Sequence, residues 1–333
     1  MLTVAWYRFR ATFRRRWSGY LTLVLLVGIV GGVAMGALSG ARRSQSAFPA
    51  YLAATKASDL QVQVYNASGL AYADLTEKLA HLPLVEHVAS TPYLLLDQLG
   101  PKGKPLAGAA NTNEVQELGS VGGMYFTQDR VTVAQGRMAD PRRADEMVAT
   151  AEAAKISGWH VGETVPFGAF TVQQAQAPGF DLQTAKPAGG RFTVKLVGLV
   201  VFSSQVVNDD VDRFPTNVLM TPALTRRLRA SGAFPFYGLR LEHGARDVAT
   251  VEREIIHLLP PGHPYVFHVT SVVQGQVERS TKPEAIALGV FGVLAALAAL
   301  LIAGQAISRG AVGERSGPRC SALARSRSGD EDG

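Results

Sequence analysis

The sequence predicts an α+β domain held outside the cytoplasm between two transmembrane helices. Three observations carry that expectation. Two runs without a charged residue, Ser18–Ala41 and Ala285–Ser308, lie towards the ends of the 333-residue chain. Between them, strand-like and helix-like periodicities alternate. The basic residues are lopsided as well: Arg8, Arg10, Arg14, Arg15 and Arg16 precede the first run with no acid among them, and supply five of the net six positive charges. Charged residues are only 18% of the chain against 47% apolar, below the roughly one quarter usual for soluble domains. The body of the chain is close to neutral, so no basic face offers itself to nucleic acid, which is excluded as a partner.

Each run is 24 residues long, about 36 Å as a helix, enough to cross a hydrocarbon core of about 30 Å with some tilt. A cleavable leader is the alternative for the first run, with Ala37-Leu38-Ser39 as its cleavage site. An apolar signal region normally runs only about 7–15 residues, however. The arginine imbalance places the N-terminus on the cytoplasmic side of a cell membrane. Two crossings then return the C-terminus to the cytoplasm and leave residues 42–283 outside. The expected layout is a basic, aromatic segment at 1–17, spans at 18–41 and 284–308, the outer domain between them, and a tail at 309–333.

The spans carry small-residue rows. Gly28, Gly32, Gly36 and Gly40 recur every fourth residue on the first, and Gly292, Ala296, Ala299 and Ala303 form a similar face on the second. Such rows let a neighbouring helix approach closely in a bilayer. Before the first span, Trp6, Phe9, Phe13, Trp17 and Tyr20 fall on one helical stripe, with Arg14, Arg15 and Arg16 at the span's edge. Aromatic rings with flanking arginines read as an anchor at the inner surface of the bilayer.

Within the outer domain, Leu60, Val62 and Val64 alternate with Gln61, Gln63 and Tyr65, the pattern of a half-buried strand. Tyr72–Leu82 carries leucines at helical spacing and ends before Pro83. Further strands are expected at Phe192–Phe202, Tyr237–Leu241 and Tyr265–Val269, and helices after Thr221-Pro222 and over Val248–Leu259. Alternation at both ends of the domain suggests split βαβ units. The stretch at about 96–210, rich in Gly and Pro, reads as a β-rich insertion.

The chemistry these residues support is sparse. No GxxxxGK[ST] phosphate loop, HExxH pair or GxSxG elbow occurs. His257, His263 and His268 cluster around a proline-rich turn without a carboxylate partner, and Asp209, Asp210 and Asp212 lack the spacing of a calcium loop. Cys320 is the single cysteine, so no intrachain disulfide forms. Neither catalytic nor metal-binding residues, nor a cofactor, are expected.

Four stretches carry a resemblance. ARRSQSAFPAYLAAT (Ala41–Thr55), directly after a glycine-rich span, resembles the FtsX-like permease family of ABC transporters, particularly its actinobacterial members. VAQGRMADPRRADEMVATAEAAKISGWHVGETVPFG (Val133–Gly168) and FTVKLVGLVVF (Phe192–Phe202), the latter followed by NVLMTPAL, look like the MacB-type extracytoplasmic core domain. PEAIALGVFGVLAALAALLIAGQAISR (Pro283–Arg309) resembles the second span of the same permeases. The resemblance implies a membrane subunit without catalytic residues. It implies as partners a separate cytoplasmic ABC ATPase, the lipid bilayer, and a second permease half or a homodimer mate. Export, lipid or lipoprotein handling, and mechanical signalling all remain open as roles. Val269–Lys282 is the expected helical lever running into the second span, with Pro283 limiting or kinking its continuity. After Arg309 the sequence turns small and polar, which reads as a disordered tail and a truncated permease. A two-span extracytoplasmic sensor is the alternative, and a membrane-anchored hydrolase a weaker third.

Overall fold

The computed structural model describes residues 17–64, 72–100, 103–104, 115–181, 184–203, 216–259 and 265–313. The chain divides into two units, one formed by Phe48–Val277 and the other by Met1–Ala47 with Glu278–Gly333. In chain order the elements begin with α1 (Trp17–Thr55), β1 (Leu60–Val64), α2 (Tyr72–Ala80) and β2 (Val85–Leu94). Next come β3 (Leu96–Gln98), β4 (Gln116–Leu118), β5 (Thr132–Gly136), β6 (Glu146–Ala149) and α3 (Ala151–Ser157). They are followed by β7 (Thr164–Ala169), α4 (Val172–Ala175), β8 (Arg191–Val201), β9 (Asn217–Met220) and α5 (Pro222–Arg227). The series ends with β10 (Gly232–Leu241), α6 (Val248–Leu258), β11 (Tyr265–Val269) and α7 (Thr270–Gly313).

Among the described residues the strands form one mixed sheet in the order β11-β1-β10-β2-β4-β9-β6-β8-β7-β3, with β5 paired to β8. Its first four strands are all antiparallel. They make a module of two interleaved strand–helix–strand units, β1-α2-β2 and β10-α6-β11. The alternation of β1 explains the packing. Leu60, Val62 and Val64 are at most 1% exposed and meet Leu75 and Leu79 of α2 and Val251 and Ile255 of α6, leaving Gln61 and Gln63 for the opposite face.

The second module holds the remaining strands, and its curvature follows from one stretch of chain. β2 and β3 are separated only by Leu95. Yet β2 pairs β4, whereas β3 pairs β7 at the far end of the series. The series β2-β4-β9-β6-β8-β7-β3 thus begins and ends on neighbouring residues, so the sheet curls back on itself. Parallel pairs, β4 with β9 and β6 with β8, sit inside that curl. Met147, Leu196, Met220 and Phe167 fill one face and pack with Trp159, Ala153 of α3, and Leu224 of α5. The Gly-Arg and Glu of the 133–168 stretch have a structural role. Arg137 makes a bidentate pair with the buried Glu146, with Nη–Oε distances of 2.8 and 2.6 Å, while Arg143 and the Asp140 amide complete its shell. These donors hold the Glu146 carboxyl below its ordinary range, the Arg137 hydrogen bonds contributing most.

Several expected elements are present, some with shifted limits. β1 begins at Leu60, β11 spans Tyr265–Val269, and the helix after Thr221 starts at Pro222, with the Thr221 hydroxyl accepting from the Leu224 amide. α2 stops at Ala80 rather than Leu82, and α6 at Leu258. The strand expected at Tyr237–Leu241 begins five residues earlier, at Gly232. Pro235 is tolerated because the pairing register shifts between Ala233 and Phe236, a bulge where Phe234 takes φ 43°. Pro283, expected to limit or kink the helix, does not interrupt it. α7 runs through it without interruption, as α1 runs through Pro49. A helix interior loses one backbone hydrogen bond at proline, and the turns on either side carry the helix past it. The tail boundary is corrected too, since Arg309–Gly313 still belong to α7; residues 314–333 lie outside the described residues. Among the described residues no helix is long and apolar enough to cross a membrane. The two charge-free runs lie within α1 and α7, several of whose side chains are outside the description.

Candidate coupling site where two long helices meet the sheet

The site forms at the end of α1 and the start of α7. α1 closes at Thr55, Lys56 turns the chain with φ 52°, and the chain enters β1 four residues later. β1 lies beside β11, with Leu60 opposite Val269. The residue before β1 and the residue after β11 are therefore neighbours. The Thr270 amide donates to Asp59 O at 3.1 Å, and its hydroxyl donates to Ser58 O at 2.5 Å. The first residue of α7 is thus bonded to two of the four residues that link α1 to the sheet.

A loop from the second module locks this link. The Asp129 and Arg130 amides donate to Lys56 O and Thr55 O at 3.1 and 2.8 Å. The Asp129 carboxylate accepts from the Ser58 amide at 2.9 Å and from the Ser58 hydroxyl. Gln128 Nε2 donates to Ser58 Oγ at 2.8 Å and to Gly238 O at 3.0 Å, while its Oε1 lies 2.6 Å from His87 Nδ1. Asp59 reaches the other way, accepting from the Leu241 amide at 2.9 Å. Burial pushes the Asp129 carboxyl upward, and its hydrogen bonds from Ser58 act against that. Ser58, Gln128 and Asp129 are all at most 2% exposed. They form a closed polar network in which each member's loss leaves another buried group unpaired.

The backbone here is unusual. Lys56, Tyr125 and Asp129 have φ of 52°, 67° and 47°, three of the five positive values at non-glycine residues among those described. Such conformations are costly and persist where surrounding contacts over-determine them. Gly238 of β10 lies directly under the network. A methyl group there would press on Ser58 Oγ and lie 3.1 Å from Asp129 Oδ2 and 3.2 Å from Gln128 Nε2. Gly238→Ala is therefore expected to destabilise the first module by about 1–3 kcal/mol, as overpacking does. Urea unfolding monitored by circular dichroism checks this, and an unchanged midpoint would show that the network yields without cost.

Cavities flank the junction. One of about 380 Å³ lies between Lys56, Ser58, Arg240, Thr270 and Gln274. The other, about 430 Å³, is bounded by rings of Phe48, Tyr125, Phe202 and Phe236 together with Asp129 and His268. The Tyr125 and Phe202 rings meet edge to face at 4.9 Å. Among the described residues no cluster of three or more His, Cys, Asp or Glu side chains is placed to hold a metal ion. The junction is built to hold two helices in register with a sheet, through hydrogen bonds rather than apolar packing.

The residues singled out from sequence lie elsewhere. Gly28, Gly32, Gly36 and Gly40 are on α1, and nothing lies within 4 Å of a Cβ added at any of them. On α7, Gly292 is buried and Ala296 exposed, while the side chains of Ala299 and Ala303 are outside the description. Trp17 opens α1 and is 58% exposed; Trp6, Phe9, Phe13, Arg14, Arg15 and Arg16 lie outside the described residues. His257 is on α6 and His268 on β11, whereas His263, Asp209, Asp210, Asp212 and Cys320 fall outside the described residues. The network residues were missed from sequence. Ser58 and Asp129 are 71 positions apart, and neither sits in a recognisable motif.

No protein-family profile and no curated protein sequence matches the chain. Solved structures do. The periplasmic region of MacB from Actinobacillus actinomycetemcomitans matches with 11% identity and a TM-score of 0.35, over 66% of this chain and 92% of that one. The extracellular domain of the noncanonic ABC-type transporter YknZ from Gram-positive bacteria matches with 9% identity and a TM-score of 0.35, over 62% and 99%. A permease-protein domain from Porphyromonas gingivalis matches with 12% identity and a TM-score of 0.32, over 64% and 90%. Two of these neighbours are thus a periplasmic region and an extracellular domain.

Proposed function

We propose that the chain is a membrane subunit of an FtsX/MacB-type ABC transporter, with no catalytic residues of its own. Its charge-free runs cross the membrane twice, its termini are cytoplasmic, and the mixed α/β domain lies outside. In this reading a separate cytoplasmic ATPase moves α1 and α7, and the junction passes that motion to the sheet. One observation carries the proposal: Thr270, the first residue of α7, is hydrogen-bonded to Ser58 and Asp59, which lie in the short link from α1 to β1. The glycine row of α1, facing open space, supports close approach of another helix from a second permease half or a second copy.

Reporter fusions test the topology. A fusion at residue 150 should be active only outside the cytoplasm, and fusions at residues 5 and 315 only inside. A cytoplasmic signal from residue 150 would overturn the proposal. Membranes holding the full chain and its ATPase supply the functional half of the same test. Vanadate-sensitive ATP hydrolysis should fall several-fold on Ser58→Leu while the chain stays assembled with the ATPase.

A further inference from the structure

Away from the helix junction, a cavity of about 290 Å³ opens where the two modules meet. Its floor is apolar: Pro92, Leu94 and Leu228 are buried beneath it. α2 forms one wall, with Ala80 at the mouth, and α5 with the turn after it forms the other. On that second wall Arg226 and Arg229 stand three residues apart at the rim. Both are exposed, and neither forms an ion pair among the described residues. Glu77 is the opposing acid, on the α2 rim. A slot with an apolar floor and two guanidinium groups on one lip is complementary to a molecule with an apolar tail and a negative head.

We propose that this cleft binds a single-chain anionic amphiphile, a medium-chain fatty-acid anion, with its tail between α2 and α5 and its carboxylate at Arg226 and Arg229. Size argues for one chain. At about 30 Å³ for a water-sized group, the cleft takes about ten such groups, an acyl chain of moderate length and not a two-chain lipid. Charge argues for an anion. Guanidinium groups bind carboxylates through paired, charge-assisted hydrogen bonds, and the acid on the opposite rim turns the head group towards α5. Apolar burial supplies affinity, and the arginines supply the preference for a negative head. The inference does not depend on the permease reading, since no part of the cleft belongs to the helix junction.

The test uses the full chain in nonionic detergent with a photoactivatable decanoic acid carrying a diazirine at its far end. Peptide mapping should find adducts within residues 76–94 and 224–232. Unlabelled decanoate should compete, and decyltrimethylammonium should not. Arg226→Ser with Arg229→Ser should cut the cleft adducts at least tenfold, both substitutions being at exposed positions. Ala80→Trp, also exposed, should fill the mouth and abolish them, while adducts on α1 and α7 from detergent-borne probe stay unchanged. Adducts confined to α1 and α7 would overturn the proposal. So would cleft adducts that ignore the arginine substitutions or are displaced equally by the cation, since the slot would then be apolar only.

Discussion

The second module is expected to lose stability as pH rises from 4 to 9, with Glu117→Gln removing most of that loss. Two carboxylates on its strands contribute, beside Asp129 of the junction loop, which is shifted the same way. Asp97 is 2% exposed, and its oxygens make no side-chain hydrogen bond of normal geometry. Burial raises its pKa to about 6, the nearby Gln98 amide offsetting only part. Glu117 is enclosed by protein on nearly every side while keeping some solvent contact. Burial raises it to about 8, with a further upward push from the Asp97 charge. A folded-state pKa above the unfolded one means the native state holds protons that the unfolded chain has already released. Stability is then fully present below the ordinary carboxylate range, falls through the interval between the two pKa values, and levels off above about 8. Burial is the leading cause at both positions, and the solvent contact that Glu117 keeps screens part of the effect. An overall loss on the order of 3 kcal/mol is expected, about 10 °C in midpoint for a domain of this size. Trp159 is packed on Phe167 in this module's core. With Trp6 and Trp17 replaced by Phe, its fluorescence follows the transition directly. A midpoint independent of pH between 5 and 8 would show that water or a counter-charge reaches the pair.

Asp129→Ala is expected to loosen the helix junction far more than Asp129→Asn. The alanine variant strands the Ser58 amide and hydroxyl, both buried, and puts a side chain without local hydrogen bonds at φ 47°. Unsatisfied buried groups cost about 1–3 kcal/mol each, and asparagine tolerates the left-handed region that alanine resists. Asparagine also keeps one acceptor for Ser58. A loss of about 3 kcal/mol should raise amide exchange at Thr270 and Ser58 on the order of 100-fold. Exchange at Leu196, whose amide donates to Glu163 O inside the second module, should stay near its original rate. Equal acceleration at all three amides would mean that the junction is not a separate unit of stability.

How much of this was readable beforehand depended on distance along the chain. Local patterns translated well. The alternation of Leu60, Val62 and Val64 became the buried face of β1, and Thr221-Pro222 became a capped helix start. The strand start at Gly232 was not legible, because a bulge beside Pro235 lets the strand begin upstream of the proline. Nothing local announces that β2 and β3 stand at the two ends of one curled series, since pairing partners are set by packing of the whole module. The helix junction was unreadable for the same reason. Ser58, Gln128 and Gly238 are each unremarkable alone, and their chemistry exists only once three distant segments meet. The small-residue rows, by contrast, were plain in sequence, because helical spacing alone defines them.

The strand order also has a consequence for biosynthesis. β1 emerges early from the ribosome, but its partners β10 and β11 are made last: Leu60 is paired with Leu239 on one side and Val269 on the other. β3 to β9 form a contiguous stretch and need nothing beyond Met220 to pair among themselves. The second module can therefore condense while the ribosome is still working, whereas β1, with its apolar face of Leu60, Val62 and Val64, must wait. Non-local pairing of this kind is slow and leaves a strand exposed to wrong partners. The two helices thus gain their shared anchorage only after every strand of the sheet has been made, when Thr270 arrives beside Ser58 and closes the loop.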